Sequence, residues 1–277
     1  MIDQTLVING VCYHILQHDG PPDPPPLVLL HGFTGSAATW RDPMQSLGDV
    51  CRTVAIDALG HGRSDAPHDP RRYAMPHVVA DTVAILDQLR IERCVLLGYS
   101  MGGRMALHIA AAAPDRIAGL ILESASPGLS TFEERAQRIL SDSQLALSIT
   151  RDGIAAFVDR WERLPLWDTQ RSLPDQIKAT QHAQRLQSDP IGLANSLRGA
   201  GTGAQESLWE QLGSIQTPTL LIAGGLDHKF TSIAQEMHAQ LPRSNLAIVQ
   251  NAGHAVHLEA PEEFDRIVQE FIASIEY

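Results

Sequence analysis

Ser100, Asp227 and His254 are the residues of this 277-residue chain whose types and spacing suit chemistry by an activated hydroxyl. A serine hydroxyl is a poor nucleophile and a poor base until a histidine shares its proton. That histidine in turn needs a carboxylate to fix its tautomer. Ser100 is the centre of Gly98-Tyr99-Ser100-Met101-Gly102. The apolar run Cys94-Val95-Leu96-Leu97 before it reads as a buried strand, and Arg104 to Ala111 after it reads as a helix. A turn this tight between strand and helix tolerates only glycine two residues to either side of the serine and lifts the hydroxyl toward an incoming substrate. It also sets the Met101 N–H at a helix start, where developing negative charge is welcome.

Chains with this turn place an acid and then a histidine downstream, each just past a strand. Asp227 follows Leu221-Ile222-Ala223-Gly224-Gly225-Leu226, and His254 follows Val249-Gln250-Asn251-Ala252-Gly253. Taken singly, Asp227 reads equally as a helix cap and His254 as a loop histidine; the ordered set of three is the specific signal. His257, in the same loop, is the rival base, although Gly253-His254 better matches a tight exposed turn. A second oxyanion donor is expected after Leu27-Val28-Leu29-Leu30, where His31-Gly32-Phe33 would present the Phe33 N–H beside that of Met101. The Phe33 side chain reads equally as packing. Arg104, four residues past Ser100, should lie at the pocket floor, an odd place for a charge unless it meets an anion or a buried acid. Arg135, Arg138 and Arg185 lie further on, and spacing alone reads them as solvated.

Positioning such residues takes a sheet. Leu6-Val7-Ile8 and Val11 to Leu16 flank Asn9-Gly10, a hairpin signal. Further strands are expected at Leu27–Leu30, Thr53–Asp57, Leu120–Glu123, Thr219–Ala223 and Leu246–Val249, with helices over Val78–Leu89, beside the Cys94–Leu97 strand, and Phe264–Ile275. This is an α/β pattern: a mostly parallel eight-stranded sheet flanked by helices on both faces. Pro127 to about Leu212 breaks it, with no convincing strand and three of the four tryptophans, Trp161, Trp167 and Trp209. The expected organisation is therefore a core of residues 1–126 and 213–277 with a helical cap, residues 127–212, inserted after the sixth strand. A cap there covers the strand ends at which α/β sheets bind ligands.

Composition narrows the function. A 44% hydrophobic chain of this length can bury one large core. No apolar run approaches the ~20 residues of a membrane span, and Met1-Ile2-Asp3-Gln4-Thr5 has neither the basic nor the apolar region of a secretory signal. The net charge of −11 argues against nucleic acid and anionic membranes as partners. Cys12, Cys51 and Cys94 are far apart, have no metal-ligand spacing and read as buried free thiols, which fits a reducing, cytoplasmic setting.

The order Ser100, Asp227, His254, with His31-Gly32 and Asp57…Gly60-His61-Gly62-Arg63-Ser64, resembles the α/β-hydrolase fold family over nearly the whole chain. A narrower resemblance runs through Gly98 to Arg104, Glu123-Ser124-Ala125-Ser126-Pro127-Gly128-Leu129 and Glu134 to Arg138 followed by Ser141-Asp142. It continues in Trp161 to Trp167, Gly192 to Leu197, Gly201-Thr202-Gly203 and Leu226-Asp227-His228-Lys229-Phe230. These stretches are similar to the 2-succinyl-6-hydroxy-2,4-cyclohexadiene-1-carboxylate synthases of the menaquinone pathway. The resemblance implies a lyase that eliminates pyruvate from a small substrate with several carboxylates, using Ser100 as a base and no cofactor or metal. Carboxylate binding would map to Arg104, Arg138 and Arg185, with Tyr99 and Trp161 lining the pocket. A carboxylic-ester or thioester hydrolase on the same three residues, and a non-catalytic ligand-binding protein, are the alternatives, because fold does not fix function.

Overall fold

The computed structural model describes residues 1–276. Eight strands form one sheet: β1 (Ile2–Ile8), β2 (Val11–His18), β3 (Leu27–Leu30), β4 (Thr53–Ile56), β5 (Cys94–Tyr99), β6 (Ile117–Glu123), β7 (Thr219–Gly224) and β8 (Ser244–Val249). Their order is β1-β2-β4-β3-β5-β6-β7-β8. β2 runs antiparallel to both its neighbours, and every other pair is parallel. β3, β4, β5, β6 and β7 are buried along their whole length, as their unbroken apolar sequences require of strands covered on both faces.

One face of the sheet packs against α2 (Met75–Gln88), α3 (Met101–Ala112) and α7 (His228–Gln240) through Ile85, Leu86, Met105, Leu107, Ala234 and Met237. The other packs against α1 (Arg41–Leu47) and α9 (Pro261–Ala273) through Met44, Leu47, Phe264, Val268 and Ile272. α2 lies mainly on α3 and β1 rather than beside β5, because α3 already occupies the groove over β5. β1 is longer than its apolar core suggests: Ile2 to Thr5 pair with Gln17 to His14 at the sheet edge, where main-chain bonds do not need a buried side chain. Cys51 and Cys94 are buried, whereas Cys12, on the edge hairpin, is only half-buried.

Between β6 and β7 the described residues form helices and turns and no strand. α4 (Phe132–Trp161) starts at a capping box, in which the Thr131 hydroxyl accepts from the Glu134 N–H at 3.1 Å and the Glu134 carboxylate accepts from the Thr131 N–H at 3.1 Å. It breaks at Gly153, whose φ of 80° no helix accommodates. α5 (Asp175–Leu186) buries no side chain fully. α6 (Pro190–Ala200), capped by Asp189, joins α4 in a separate apolar cluster of Ala146, Ile149, Phe157, Val158, Leu193, Ala194 and Leu197. Phe33 and Trp161 pack against that cluster, which seats the helices over the C-terminal strand ends.

Register sets what stands at that edge. Leu30 pairs with Gly98, Tyr99 with Glu123, and Gly224 with Val249. The strands therefore end level, and the segments after them, starting at His31, Ser100, Ser124, Gly225 and Gln250, converge on one rim.

Candidate active site

Ser100 occupies a backbone conformation that few residues adopt, φ 52° and ψ −106°. Its N–H donates to the Glu123 carbonyl at 2.8 Å and its carbonyl accepts from the Arg104 N–H at 3.1 Å, so strand and helix together hold the turn. A Cβ on Gly98 would lie 2.2 Å from the Gly102 carbonyl oxygen, and one on Gly102 would lie 2.1 Å from that of Leu30. The glycines are fixed by these close approaches, since neither has room for a side chain.

The structure brings Ser100, His254 and Asp227 together. His254 Nε2 lies 3.0 Å from Ser100 Oγ, and Nδ1 lies 2.7 Å from Asp227 Oδ2. An ionised carboxylate only accepts, so Nδ1 carries the hydrogen and Nε2 is left to receive the serine proton. The other Asp227 oxygen accepts from the Phe230 N–H at 3.2 Å, so the aspartate caps α7 as well as orienting His254. Phe230, Tyr99 and Trp167 stand around the imidazole with ring centroids 4.6, 5.5 and 5.8 Å away, leaving it 2% exposed. His257 is not beside Ser100: its Nδ1 is 2.9 Å from both Glu123 oxygens in a fully buried pair.

The Gly32–Phe33 segment passes directly over the serine; a Cβ on Gly32 would come within 3.6 Å of Ser100 Cβ. His31 fixes that segment. Its Nδ1–H donates to the Gly32 carbonyl at 2.8 Å, and its Nε2 accepts from the Ala58 N–H at 3.0 Å. Burial holds the His31 pKa below the ordinary value, which keeps the ring neutral as those two bonds require. The N–H groups of Phe33 and Met101 donate to no partner among the described residues, and both residues line the cavity at Ser100. The Phe33 ring also packs edge-on against Trp161 and Phe157.

That cavity has a volume of about 290 Å³. Tyr99 and Trp161 form part of its wall, as do three cations, Arg104, Arg138 and Lys229; among the described residues no aspartate or glutamate lines it. Arg104 is half-buried and donates to the Ala200 carbonyl and to Gln205 Oε1. Burial, and then the like charge of Arg138, push its pKa down to about 10. Arg138 gives its Nε to the buried Asp142 at 2.8 Å and keeps its terminal nitrogens free among the described residues. Lys229 stands at the first turn of α7 with Nζ 5.6 Å from the Phe230 ring. It lies two residues past Asp227 in Leu226-Asp227-His228-Lys229-Phe230, where residue type and spacing alone do not single out a lysine. Arg185 is elsewhere: it stacks on Trp167 at 5.3 Å, donates to Glu162 at 2.9 Å and lines a neighbouring cavity of about 430 Å³. Trp167, Tyr99 and Phe33 are shared walls of the two cavities. Trp209 lines neither cavity; its ring N–H donates at 3.0 Å to the carbonyl of Gly128, a residue in the wall of the Ser100 cavity.

A mostly parallel sheet with a strained serine at a strand–helix turn, a histidine and an aspartate at its rim defines a class, and comparison with known proteins agrees. The family model for the alpha/beta hydrolase fold matches residues 25–261, and the chain belongs to that family as one of its enzymes. It is 46% identical, over 97% of both chains, to a Bacillus subtilis (strain 168) protein provisionally named 2-succinyl-6-hydroxy-2,4-cyclohexadiene-1-carboxylate synthase. It is 33% identical to the synthase of that name from Salmonella heidelberg (strain SL476), over 90% of this chain and 94% of that one. Among solved structures, MenH from S. aureus is 34% identical, with a TM-score of 0.90 over 94% of this chain and 98% of the other.

Proposed function

We propose that this enzyme eliminates pyruvate from 2-succinyl-5-enolpyruvyl-6-hydroxy-3-cyclohexene-1-carboxylate to give 2-succinyl-6-hydroxy-2,4-cyclohexadiene-1-carboxylate, a step of menaquinone biosynthesis. The carrying observation is the charge of the Ser100 cavity: Arg104, Arg138 and Lys229 line it and, among the described residues, no aspartate or glutamate does, in a chain whose net charge is −11. The substrate bears carboxylates on the ring, at the succinyl end and on the enolpyruvyl group. An anion between Arg104 and Arg138 offsets both the burial and the like-charge repulsion that lower the Arg104 pKa.

The chemistry we infer makes use of that geometry. The ring proton beside the succinyl ketone is the acidic one. Ser100 takes it as its own proton passes to His254 Nε2, and Asp227 stabilises the resulting imidazolium. The enolate oxygen is held by the Phe33 and Met101 N–H groups. Its electrons form the C2–C3 double bond, the C3–C4 double bond moves to C4–C5, and the C5–O bond breaks to release enolpyruvate. The proton on His254 is then available to return to the enolpyruvate carbon, which leaves as pyruvate. No covalent bond to Ser100 forms. Arg185 takes part only if it exchanges Glu162 for a substrate carboxylate across Trp167. Residues 127–212 act as a lid on the core of residues 1–126 and 213–277.

The test is to incubate the enzyme with the enolpyruvyl substrate and follow pyruvate with lactate dehydrogenase and NADH, alongside hydrolysis of p-nitrophenyl acetate. Rapid pyruvate release with slow ester hydrolysis is expected. Absence of pyruvate together with fast ester turnover rejects the lyase in favour of an esterase.

A further inference from the structure

We propose that Glu123 and Glu259 are positioning residues that hold the His254 segment against Ser100, an inference that rests on the roles proposed above for Ser100 and His254. Among the described residues the His254 main chain makes no hydrogen bond of its own. Its orientation therefore depends on its flanks. Glu259 holds both of them: Oε2 accepts from the Gly253 N–H at 2.7 Å and Oε1 from the Ala255 N–H at 3.3 Å. One carboxylate thus bridges the residues on either side of the histidine.

Glu123 ties the same segment to the serine. Its main-chain carbonyl accepts the Ser100 N–H at 2.8 Å. Its carboxylate accepts from the His257 N–H at 3.0 Å and lies 2.9 Å from His257 Nδ1 through each oxygen. Both side chains are fully buried, with His257 packed between Trp40, Tyr99 and Phe264. Packing alone does not call for buried charge; an apolar pair would fill that space at lower desolvation cost. What carboxylates add is directional acceptance of main-chain and ring N–H groups. Those bonds act on a Ser100–His254 contact of 3.0 Å, a distance at which small displacements cost large factors in rate.

The test uses the full-length enzyme with Glu259→Gln and Glu123→Gln, each of which turns one acceptor oxygen into an amide donor facing an N–H. Glu259 is only half-buried, so its variant tests the proposal even where Glu123→Gln does not fold; His257→Gln is the second probe of the Glu123 side. A fluorophosphonate reports the Ser100–His254 contact directly, through its labelling rate constant and its titre of reactive sites. The expected result is a labelling rate constant and a kcat for pyruvate release each lower by about tenfold or more, with unchanged titre and KM within about twofold. A lower titre with an unchanged rate constant for the remaining sites means a merely structural role and overturns the proposal. So does a folded Glu259→Gln variant that labels at the wild-type rate. Wild-type enzyme that labels but releases no pyruvate rejects the substrate reading instead, and the labelling comparison then decides this proposal alone. Wild-type enzyme that fails to label overturns both.

Discussion

Replacing Arg104 with methionine separates what this residue does for substrate from what it does for the fold. Burial beside Arg138 pushes its pKa down to about 10, so holding the charged guanidinium there costs the fold roughly 3 kcal/mol. The sign is destabilising wherever the group is charged, at any pH below about 10. Its hydrogen bonds to the Ala200 carbonyl and to Gln205 Oε1 return roughly 1.5–3 kcal/mol each. Together the two bonds outweigh that cost by no more than about 3 kcal/mol, so Arg104→Met should lower the melting temperature by no more than about 10 °C. Substrate binding has no such cancellation. Losing a charge-assisted bond to a bound carboxylate in a dry pocket costs about 2–5 kcal/mol, which is a rise in KM of roughly thirty-fold to several thousand-fold. The assay is pyruvate release coupled to NADH oxidation across a wide substrate range, with calorimetric unfolding of the same preparations. A KM within threefold of wild type refutes the placement of a substrate anion at Arg104. Unfolding weakened by more than about 4 kcal/mol would show that the residue serves the fold first.

Ser100→Ala should fold normally and lose at least about a thousandfold in kcat, and Asp227→Asn should lose most activity because His254 no longer keeps its hydrogen on Nδ1; more than a few per cent residual turnover in Ser100→Ala would falsify the proposed base. Lys229→Met should raise KM for the tricarboxylate by about tenfold or more and leave neutral-ester hydrolysis unchanged; an equal effect on both substrates removes the lysine from carboxylate binding. Acid stability should report the buried His61, whose pKa is pushed down to about 3 by burial and by neighbouring His31. Between pH 6.5 and 3 the unfolded chain binds a proton that the fold refuses, so stability falls with pH, by roughly 3 kcal/mol at pH 4 from this residue. Urea unfolding of wild type and His61→Gln at pH 7 and pH 4 checks this, and an unchanged pH slope in the variant contradicts it. Finally, amide exchange in residues 127–212, and in α5 above all, should slow when pyruvate or a substrate analogue binds; equal exchange with and without ligand contradicts a closing lid.

The strands, the elbow and the order of the three central residues could be read from the chain because each signal is local. A short apolar run bounded by turn residues, such as Leu27–Leu30 after the proline-rich stretch of residues 20–26, reads as a strand, and Gly98 and Gly102 record a close approach that no other residue survives. Asp227 and His254 lie within a few residues of their strands, so knowing the strands placed them. The cations were different. Arg104 is tied to a strand end and fell into the cavity as its position implied. Arg138 and Arg185 sit on helices whose seating depends on contacts made far along the chain, such as α4 on α6 and Phe33 on Trp161, whereas Lys229 opens α7 directly after β7 and only the direction of its side chain was hidden.

The amino-acid order by itself determined the sheet, the strained serine and which segments end at one rim, because strand periodicity and glycine sterics act between near neighbours. Only the tertiary structure decided that Lys229 and not Arg185 faces the Ser100 cavity, and that Trp167 divides that cavity from a larger one. It alone decided that Glu123, at the end of one strand, holds His257, which follows another. Those outcomes turn on how helices rotate and seat over the sheet, and that is fixed by side chains distant in sequence meeting in space.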